Sequence, residues 1–407
     1  MQKILALAIL LILLLPAPAL AATEQNAAAP DDAEQGLILQ DTQPMPLTMG
    51  DLAGQLDMAE FEARLADVDA LLRQEDAGVT MSEIWQGLLS GKRQFDLTEI
   101  WQTLRALLFA NIRSSGSLLG QLLLLSLLAI LLTLLKDNFA GGEIAQIGRW
   151  VIYLLLIGLA VLAFMPSLAR ATATVEMIRD LIYALLPLLI PLLAAIGGVT
   201  TAGIVSPALL FAISVMMSLM ANLIFPLICF SAILRICGGL APRLSLEKMA
   251  ALFKDVALGL MGVVATVFIA FLGLTGMSTA SWDGLAVKAV KTASGAFIPV
   301  VGRSIADVMD SVLGTALVLK NALGLVGAVA ILFICALPAM QILLQALVFR
   351  IAGALIQPLG EEKLAEAVTG MGNSLILLFA SLTVCGLFAY FTLALLVGLG
   401  NITMMMR

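Results

Sequence analysis

The chain has 407 residues, of which 61% are hydrophobic and only 12% are charged, and its formal net charge is −6. Ordinary globular domains carry about 25% charged residues, so this composition indicates an integral membrane protein. Histidine is absent, which excludes histidine-based catalytic triads, histidine-ligated zinc or haem, and histidine proton relays.

The negative charge is concentrated near the N-terminus. Residues 22–116 contain 16 acidic and 6 basic side chains, whereas basic residues are in slight excess from residue 117 onward. An acidic segment outside the apolar body argues against a nucleic-acid partner.

The first 21 residues have the layout of a secretory signal peptide. Lys3 precedes an apolar run at residues 4–15, and small residues with an Ala-x-Ala pattern follow up to Ala21. The run is short for a transmembrane helix, although an uncleaved anchor is the alternative. Cleavage after Ala21 would leave the mature N-terminus outside the cytoplasm.

Residues 22–116 are predicted to form an acidic extracytoplasmic arm. Its first part, to about residue 49, is rich in Ala, Gln, Asp, Pro and Thr and indicates a flexible leader. Apolar residues at helical spacing then predict short amphipathic helices at 56–73, 82–91 and 96–109. Trp85 and Trp101 either anchor these helices at the membrane interface or are buried in a small helical core, and the sequence leaves both open.

Residues 117–407 are predicted to form a multi-span membrane domain. Long apolar runs predict clear spans at about 117–135, 150–169, 256–277, 321–349 and 373–400. The basic segment 235–254 should face the cytoplasm by the positive-inside rule. An odd number of crossings must therefore separate Asp180, predicted to lie outside, from Arg235.

Prolines and glycines complicate the region between 181 and 234. Pro187, Pro191, Gly197 and Gly198 predict a hinge or a re-entrant turn, because proline interrupts the helical hydrogen-bond ladder and paired glycines permit a tight reversal. The favoured interpretation is a re-entrant hairpin at about 181–204 followed by one long span, and the alternative is three short spans. Two further hinge candidates precede the next long helix, namely Pro299 and Gly302.

A charged stripe follows these two residues. In a helix, Arg303, Asp307, Asp310 and Gly314 share one narrow face. One hypothesis is that the stripe lines a polar cavity or a subunit contact, with Lys288 and Lys291 as partners for Asp310. The alternative is that the charges are merely solvated at the extracytoplasmic interface.

No catalytic motif accompanies this architecture. The sequence has no GxxxxGK phosphate loop and no Gly-x-Ser-x-Gly elbow, so we assign no catalytic residue, metal ligand or cofactor and do not predict an enzyme. The four cysteines lie in apolar segments without CxxC spacing, which is typical of packing residues.

Several longer strings resemble the stage III sporulation protein AE family of endospore-forming bacteria. They are Ile196-Gly-Gly-Val-Thr-Thr-Ala-Gly203, Ile298-Pro-Val-Val-Gly-Arg-Ser-Ile-Ala-Asp307, Lys320-Asn-Ala-Leu-Gly324, Ala354-Leu-Ile-Gln-Pro-Leu-Gly360 and Gly400-Asn-Ile-Thr-Met-Met-Met-Arg407. The resemblance runs from about Leu118 to the C-terminus. It implies a multi-pass protein of the mother-cell membrane around the forespore. It also implies partners, namely other stage III sporulation membrane proteins and a forespore-side protein, in a channel or feeding-tube complex.

The sequence thus predicts an all-α, polytopic membrane protein with broken or re-entrant segments and a small helical extracytoplasmic N-terminal region. The resemblance implies a channel-complex subunit that supports late forespore gene expression. The alternatives are a self-sufficient secondary transporter for a small solute and a scaffold that only recruits partners.

Overall fold

A computed structural model describes residues 52–54, 56–74, 80–90, 142–196, 201–240, 246–294, 302–359 and 362–405, together with isolated positions between 103 and 124. Within these ranges only the backbone is described at several positions, chiefly 142–150, 276–294, 302–312 and 399–405. The described ranges contain eight α-helices and no strand, which confirms the predicted all-α class.

The first two helices, α1 (Ala59–Gln74) and α2 (Met81–Leu89), confirm two of the predicted amphipathic helices. Phe61, Leu65 and Leu72 recur at helical spacing on α1 and are buried. Trp85 of α2 is also buried, and its ring meets that of Phe61 edge to face at 5.4 Å. The core interpretation is therefore correct for Trp85, whereas Trp101 lies outside the described residues.

Helix α3 (Gly142–Ala195) runs for 54 residues without interruption. At 1.5 Å per residue it is about 80 Å long, well over the roughly 30 Å hydrocarbon thickness of a bilayer. Arg170 and Asp180 lie inside this helix, so α3 continues past the predicted end of the span at 150–169 and the chain does not leave the helix before Asp180. Two apolar stretches flank a charged segment without a helix-breaking turn between them.

The predicted re-entrant hairpin at about 181–204 does not begin as a separate segment at residue 181. Pro187 and Pro191 both lie within α3, which continues to Ala195. Long apolar helices accommodate proline where neighbouring helices and local adjustments satisfy the freed backbone groups. Gly197 and Gly198 lie outside the described residues, so the turn predicted at these two glycines stays a prediction.

The following segment is helical from Thr201 to Leu240. It contains α4 (Ser206–Leu219) and α5 (Phe225–Leu240), each preceded by a π-helical turn, at Thr201–Val205 and Met220–Ile224. Each π turn contains the residue four positions before a proline, Pro207 or Pro226, where the proline ring would clash with an α-helical carbonyl. The wider turn removes that clash, and the chain crosses as one long helix rather than as short pieces.

Three long helices complete the described fold. They are α6 (Leu246–Ser294), α7 (Gly302–Ile356) and α8 (Glu362–Met405), and a short 3₁₀ turn at Gln357–Leu359 leads from α7 towards α8. Helices α7 and α8 form the most extensive contact in the structure and lie at its centre. The side chains of the α6 span are the least buried among the candidate spans.

Helices α7 and α8 are antiparallel and closely packed. Near the turn, Gly353 lies against Thr369, and far from it Gly324 lies against Val397. Between these points, a Cβ added at Gly386 would lie 2.8 Å from the Cβ of Cys335. The glycines thus form a seam along which the two backbones approach closely, as is common between membrane helices.

Two further contacts fix the directions of the neighbouring helices. Ser167 of α3 donates a hydrogen bond to Gln345 of α7. Leu185, 18 residues later on α3, contacts Gly327, 18 residues earlier on α7. Helices α3 and α7 are therefore antiparallel. Helix α6 is parallel to α8, because Met261 contacts Ser381 and Phe268 stacks on Phe388 at 4.7 Å.

Five helical segments in the described ranges are long and apolar enough to cross a membrane: Phe164–Ala195, Ala202–Gly238, Leu246–Thr275, Leu313–Ile356 and Glu362–Gly398. The last three contain most of the predicted spans at 256–277, 321–349 and 373–400. The predicted span at 117–135 falls almost entirely outside the described residues. The chain is accordingly a multi-pass membrane protein.

Candidate functional site

The two helices of the arm are held together by a buried carboxylate. Asp69 of α1 is 3% exposed and accepts hydrogen bonds from the backbone N–H of Met81 (2.5 Å) and of Ser82 (3.2 Å). The hydroxyl of Ser82 donates to the same carboxylate. Thr80, the residue before α2, makes no side-chain capping bond, so Asp69 caps α2 from a neighbouring helix and suits the positive end of its dipole.

Helix α1 packs against α3 and α7 beside a group of polar side chains on those helices. We call this group the polar flank. Its members are Arg64 of α1, Arg170, Glu176, Arg179 and Asp180 of α3, and Gln341 and Gln345 of α7. They gather charged and amide side chains on one side of an otherwise apolar bundle.

Direct contacts form two separate groups within the polar flank. A guanidinium nitrogen of Arg170 donates to Gln341 at 3.1 Å, and Arg179 lies 3.4 Å from the carboxylate of Asp180. Arg64 reaches the same carboxylate at 4.0 Å, which joins the arm to the membrane helices electrostatically. Arg64, Arg179 and Asp180 each keep about a third or more of their side-chain surface exposed, so these pairs add little to stability.

The exposed surface of α3 changes character along the polar flank. Large hydrophobic side chains are exposed at Leu162, Met165 and Tyr183. Between Met165 and Tyr183 the exposed positions are Pro166, Ala169, Arg170, Ala173 and Glu176. Small and charged side chains therefore replace the bulky apolar ones that typically face lipid.

A second polar feature is a buried lysine on α7. Lys320 has no exposed surface, and its ammonium group donates to the backbone carbonyl of Val397 on α8 at 2.9 Å. That carbonyl lies in the last part of α8, where the apolar span ends. The sequence analysis did not identify this residue as a buried cation. Its position as the first charge beyond a long uncharged stretch was the available signal.

The predicted charged stripe can be only partly placed. Arg303, Asp307 and Asp310 lie on α7, which confirms the helix on which the stripe depends, but their side chains are outside the described set. Gly314 is half-buried, with open space where a Cβ would be. Lys288 and Lys291 lie on α6, likewise described only in their backbone. The polar lining at these residues stays a prediction.

The predicted hinge near the start of α7 is also left open. Gly302 is the first residue of α7, and Pro299 lies outside the described residues.

The cysteines are packing residues where the structure describes them. Cys229, Cys335 and Cys385 are buried and none forms a disulfide, while Cys237 is half-buried. Among the described residues, no group of three or more histidine, cysteine, aspartate or glutamate side chains is arranged to hold a metal ion. The polar side chains on these helices can bind water or orient neighbouring groups, and we assign them no reaction.

Comparisons with known proteins identify relatives across most of the membrane region. The family model described as stage III sporulation protein AE matches residues 79–400. The chain is 32% identical over 343 residues to stage III sporulation protein AE of Bacillus subtilis, and the match covers 84% of this chain and 85% of that protein. No solved structure matches the chain.

Proposed function

The chain belongs to the stage III sporulation protein AE family, and from this premise we propose that it is a membrane subunit of the channel complex that joins mother cell and forespore. Membership of the family supports a role in sporulation. The observation that carries the proposal is the extent of the match, because residues 79–400 include every described helix from α2 to α7 and most of α8. Its partners would be the other stage III sporulation membrane proteins and a forespore-side protein.

The helix directions support an orientation for this subunit. Basic side chains gather at one end of the bundle: Arg235 at the end of α5 packs against Gly370 of α8, and Arg350 of α7 packs against Gly372. Lys363, at the start of α8, lies near the same end. By the positive-inside rule this end faces the cytoplasm of the mother cell.

The same reasoning supports an extracytoplasmic arm. Helix α3 is antiparallel to α7, and α7 is antiparallel to α8, so α3 and α8 both begin at the basic end. One span before α3, predicted at 117–135, would then bring residues 22–116 to the outer side. In this proposal α1 and α2 reach the bundle from the space between the two cells.

Co-purification tests the proposed complex. A C-terminally tagged full-length chain, purified from membranes of sporulating cells, should bring down other stage III sporulation membrane proteins. The matched control is the same tagged chain expressed in vegetative cells, where those proteins should not be recovered. Recovery of the chain without any of these partners, together with unimpaired spore formation in cells lacking it, would contradict the proposal.

A self-sufficient transporter predicts a different result. The purified chain alone, reconstituted into liposomes, would then take up a solute without any partner. Under the proposed function, transport requires the co-expressed complex.

A further inference from the structure

The contacts between helices give the depth of the polar flank in the bundle. Glu176 follows Arg170 by six residues on α3, and Cys335 precedes Gln341 by six residues on the antiparallel α7. The contact between Leu185 and Gly327 pairs Glu176 with the residue next to Cys335, so the two contacts agree to within one residue. Glu176 and Cys335 therefore lie at the same height along the bundle.

That height is the middle of the apolar helices. Cys335 lies midway between Lys320 and Arg350, the two charges that bound the uncharged stretch of α7. Its sulfur meets the carbonyl of Leu382, and its side chain packs against Gly386 on α8. Both residues are well inside the uncharged part of α8, so the level of Cys335 is close to the centre of the bilayer.

The opposite side of the bundle is apolar at this height. Met261 and Phe268 of α6 are level with Ser381 and Phe388 of α8, which places Val263 at about the level of Leu382. Val263 is 62% exposed, and its neighbours Val267 and Ile269 are exposed to a similar extent. Side chains of this kind suit a surface that faces lipid tails.

Unlike that apolar surface, the polar flank cannot face lipid tails directly. Charged side chains at the bilayer centre are costly and almost always face a protein interior or a water-filled cavity. Glu176 is exposed in the middle of this segment, and the outer face of α1, next to Arg64, exposes Glu60, Glu62 and Asp67. The described residues leave this side open, so further protein, from the rest of the chain or from a neighbouring subunit, has to separate it from lipid.

We propose that the polar flank lines a water-filled path at bilayer depth, enclosed by neighbouring subunits, through which small hydrophilic solutes pass. The inference rests on the proposed membership of a multi-protein channel. Helix α1 forms part of the wall, because it packs against α3 and places Arg64 4.0 Å from Asp180. The path lies on the α3 side of the bundle, while α6 faces lipid.

Cysteine accessibility at matched depth tests this inference. Glu176→Cys and Val263→Cys are made separately in the full-length chain and expressed in sporulating cells that lack their own copy. Membranes are treated with the charged, membrane-impermeant reagent (2-trimethylammonium)ethyl methanethiosulfonate, and modification is quantified by mass spectrometry of the peptide that carries the new thiol. Because the thiolate is the reactive form and apolar surroundings suppress it, the thiol of Glu176→Cys should react at least about tenfold faster than that of Val263→Cys.

Two outcomes would overturn the proposal. Equally slow reaction of both variants would show that the polar flank is dry, and disulfide cross-linking of Glu176→Cys between copies would then identify a protein interface instead. Equally fast reaction of both would show that the depth assignment is wrong. Ala173→Cys, at another exposed position on α3, is a second reporter that keeps the test valid if the change at Glu176 prevents accumulation.

The co-purification of partners is measured on the same membranes. If the partners co-purify but the thiol of Glu176→Cys reacts as slowly as that of Val263→Cys, only the water-filled path is refuted. Loss of the partners themselves would refute the proposed function.

Discussion

The close approach of α7 and α8 at Gly386 allows a sharp test of the helix register. Replacing Gly386 by alanine would place its new Cβ 2.8 Å from the Cβ of Cys335 and still closer to the sulfur. The sulfur can rotate away, but the Cβ of Cys335 moves only with the backbone of α7. The two helices must therefore separate by about half an ångström or more to reach an ordinary carbon–carbon contact.

The expected magnitude follows from two opposing terms. Overpacking of a tight core typically costs about 1–3 kcal/mol. Replacing glycine by alanine within a helix also gains up to about 1 kcal/mol in helix propensity. Gly262→Ala on α6, where a Cβ would meet nothing within 4 Å, is the matched control because it has the gain without the clash. We expect Gly386→Ala to be less stable than Gly262→Ala by about 1–3 kcal/mol.

Thermal unfolding of the purified chain in detergent measures this difference. Gly386→Ala should melt several degrees below Gly262→Ala. Adding Cys335→Gly to Gly386→Ala should recover part of the loss, because it removes the opposing Cβ, whereas adding Cys335→Ala should recover less. Equal melting temperatures for Gly386→Ala and Gly262→Ala, or no difference between the two second changes, would refute the inferred packing.

Three further predictions concern the arm and the buried lysine. Asp69→Ala leaves the N-terminus of α2 uncapped and should cost about 1–3 kcal/mol locally, seen as faster proteolysis within α2 than in the wild-type chain; Asp69→Asn, which keeps an acceptor oxygen, should be intermediate. Lys320→Glu places a carboxylate against the carbonyl of Val397 and should sharply reduce the amount of chain in the membrane. Lys320→Gln keeps a hydrogen-bond donor, so much more of this variant should be found in the membrane. Equal amounts of the two variants on an immunoblot would contradict the role of Lys320 as a buried donor to Val397. Arg64→Ala and Asp180→Ala should each change stability by less than about 1 kcal/mol, because both side chains are partly exposed and Arg64 has a closer partner in Asp67 at 3.3 Å. A large loss of protease resistance in α1 from Asp180→Ala would mean that the pair is not hydrated.

Much of the fold follows from the sequence pattern. Uninterrupted apolar runs predict the apolar spans within α6, α7 and α8, because a bilayer imposes both the length and the composition of a span. The helices of the arm are recognisable from their amphipathic spacing. Whether Trp85 is buried or interfacial depended on a contact with Phe61 and on the docking of α2, which no local pattern specifies.

The failures concern the environment of particular residues. Pro187 and Pro191 suggested a broken segment, but α3 continues because a long apolar helix packed on its neighbours tolerates proline. The span predicted at 150–169 left Asp180 outside the membrane. The continuous helix places Arg170 and Asp180 inside α3, where they pair with side chains of α1 and α7. Such pairings between distant segments are not encoded in local periodicity.

The most direct test of the account is the sidedness of two exposed residues at opposite ends of the bundle. Arg73→Cys on α1 and Lys363→Cys at the start of α8 are made separately, expressed in vegetative cells, where the outer face of the cell membrane is open to solution, and probed with the same impermeant reagent in intact protoplasts and after permeabilisation. The account predicts that the thiol of Arg73→Cys reacts in intact protoplasts and that the thiol of Lys363→Cys reacts only once the membrane is opened. The reverse pattern in intact protoplasts, with modification of Lys363→Cys but not of Arg73→Cys, would contradict the orientation of the bundle and the placement of the arm.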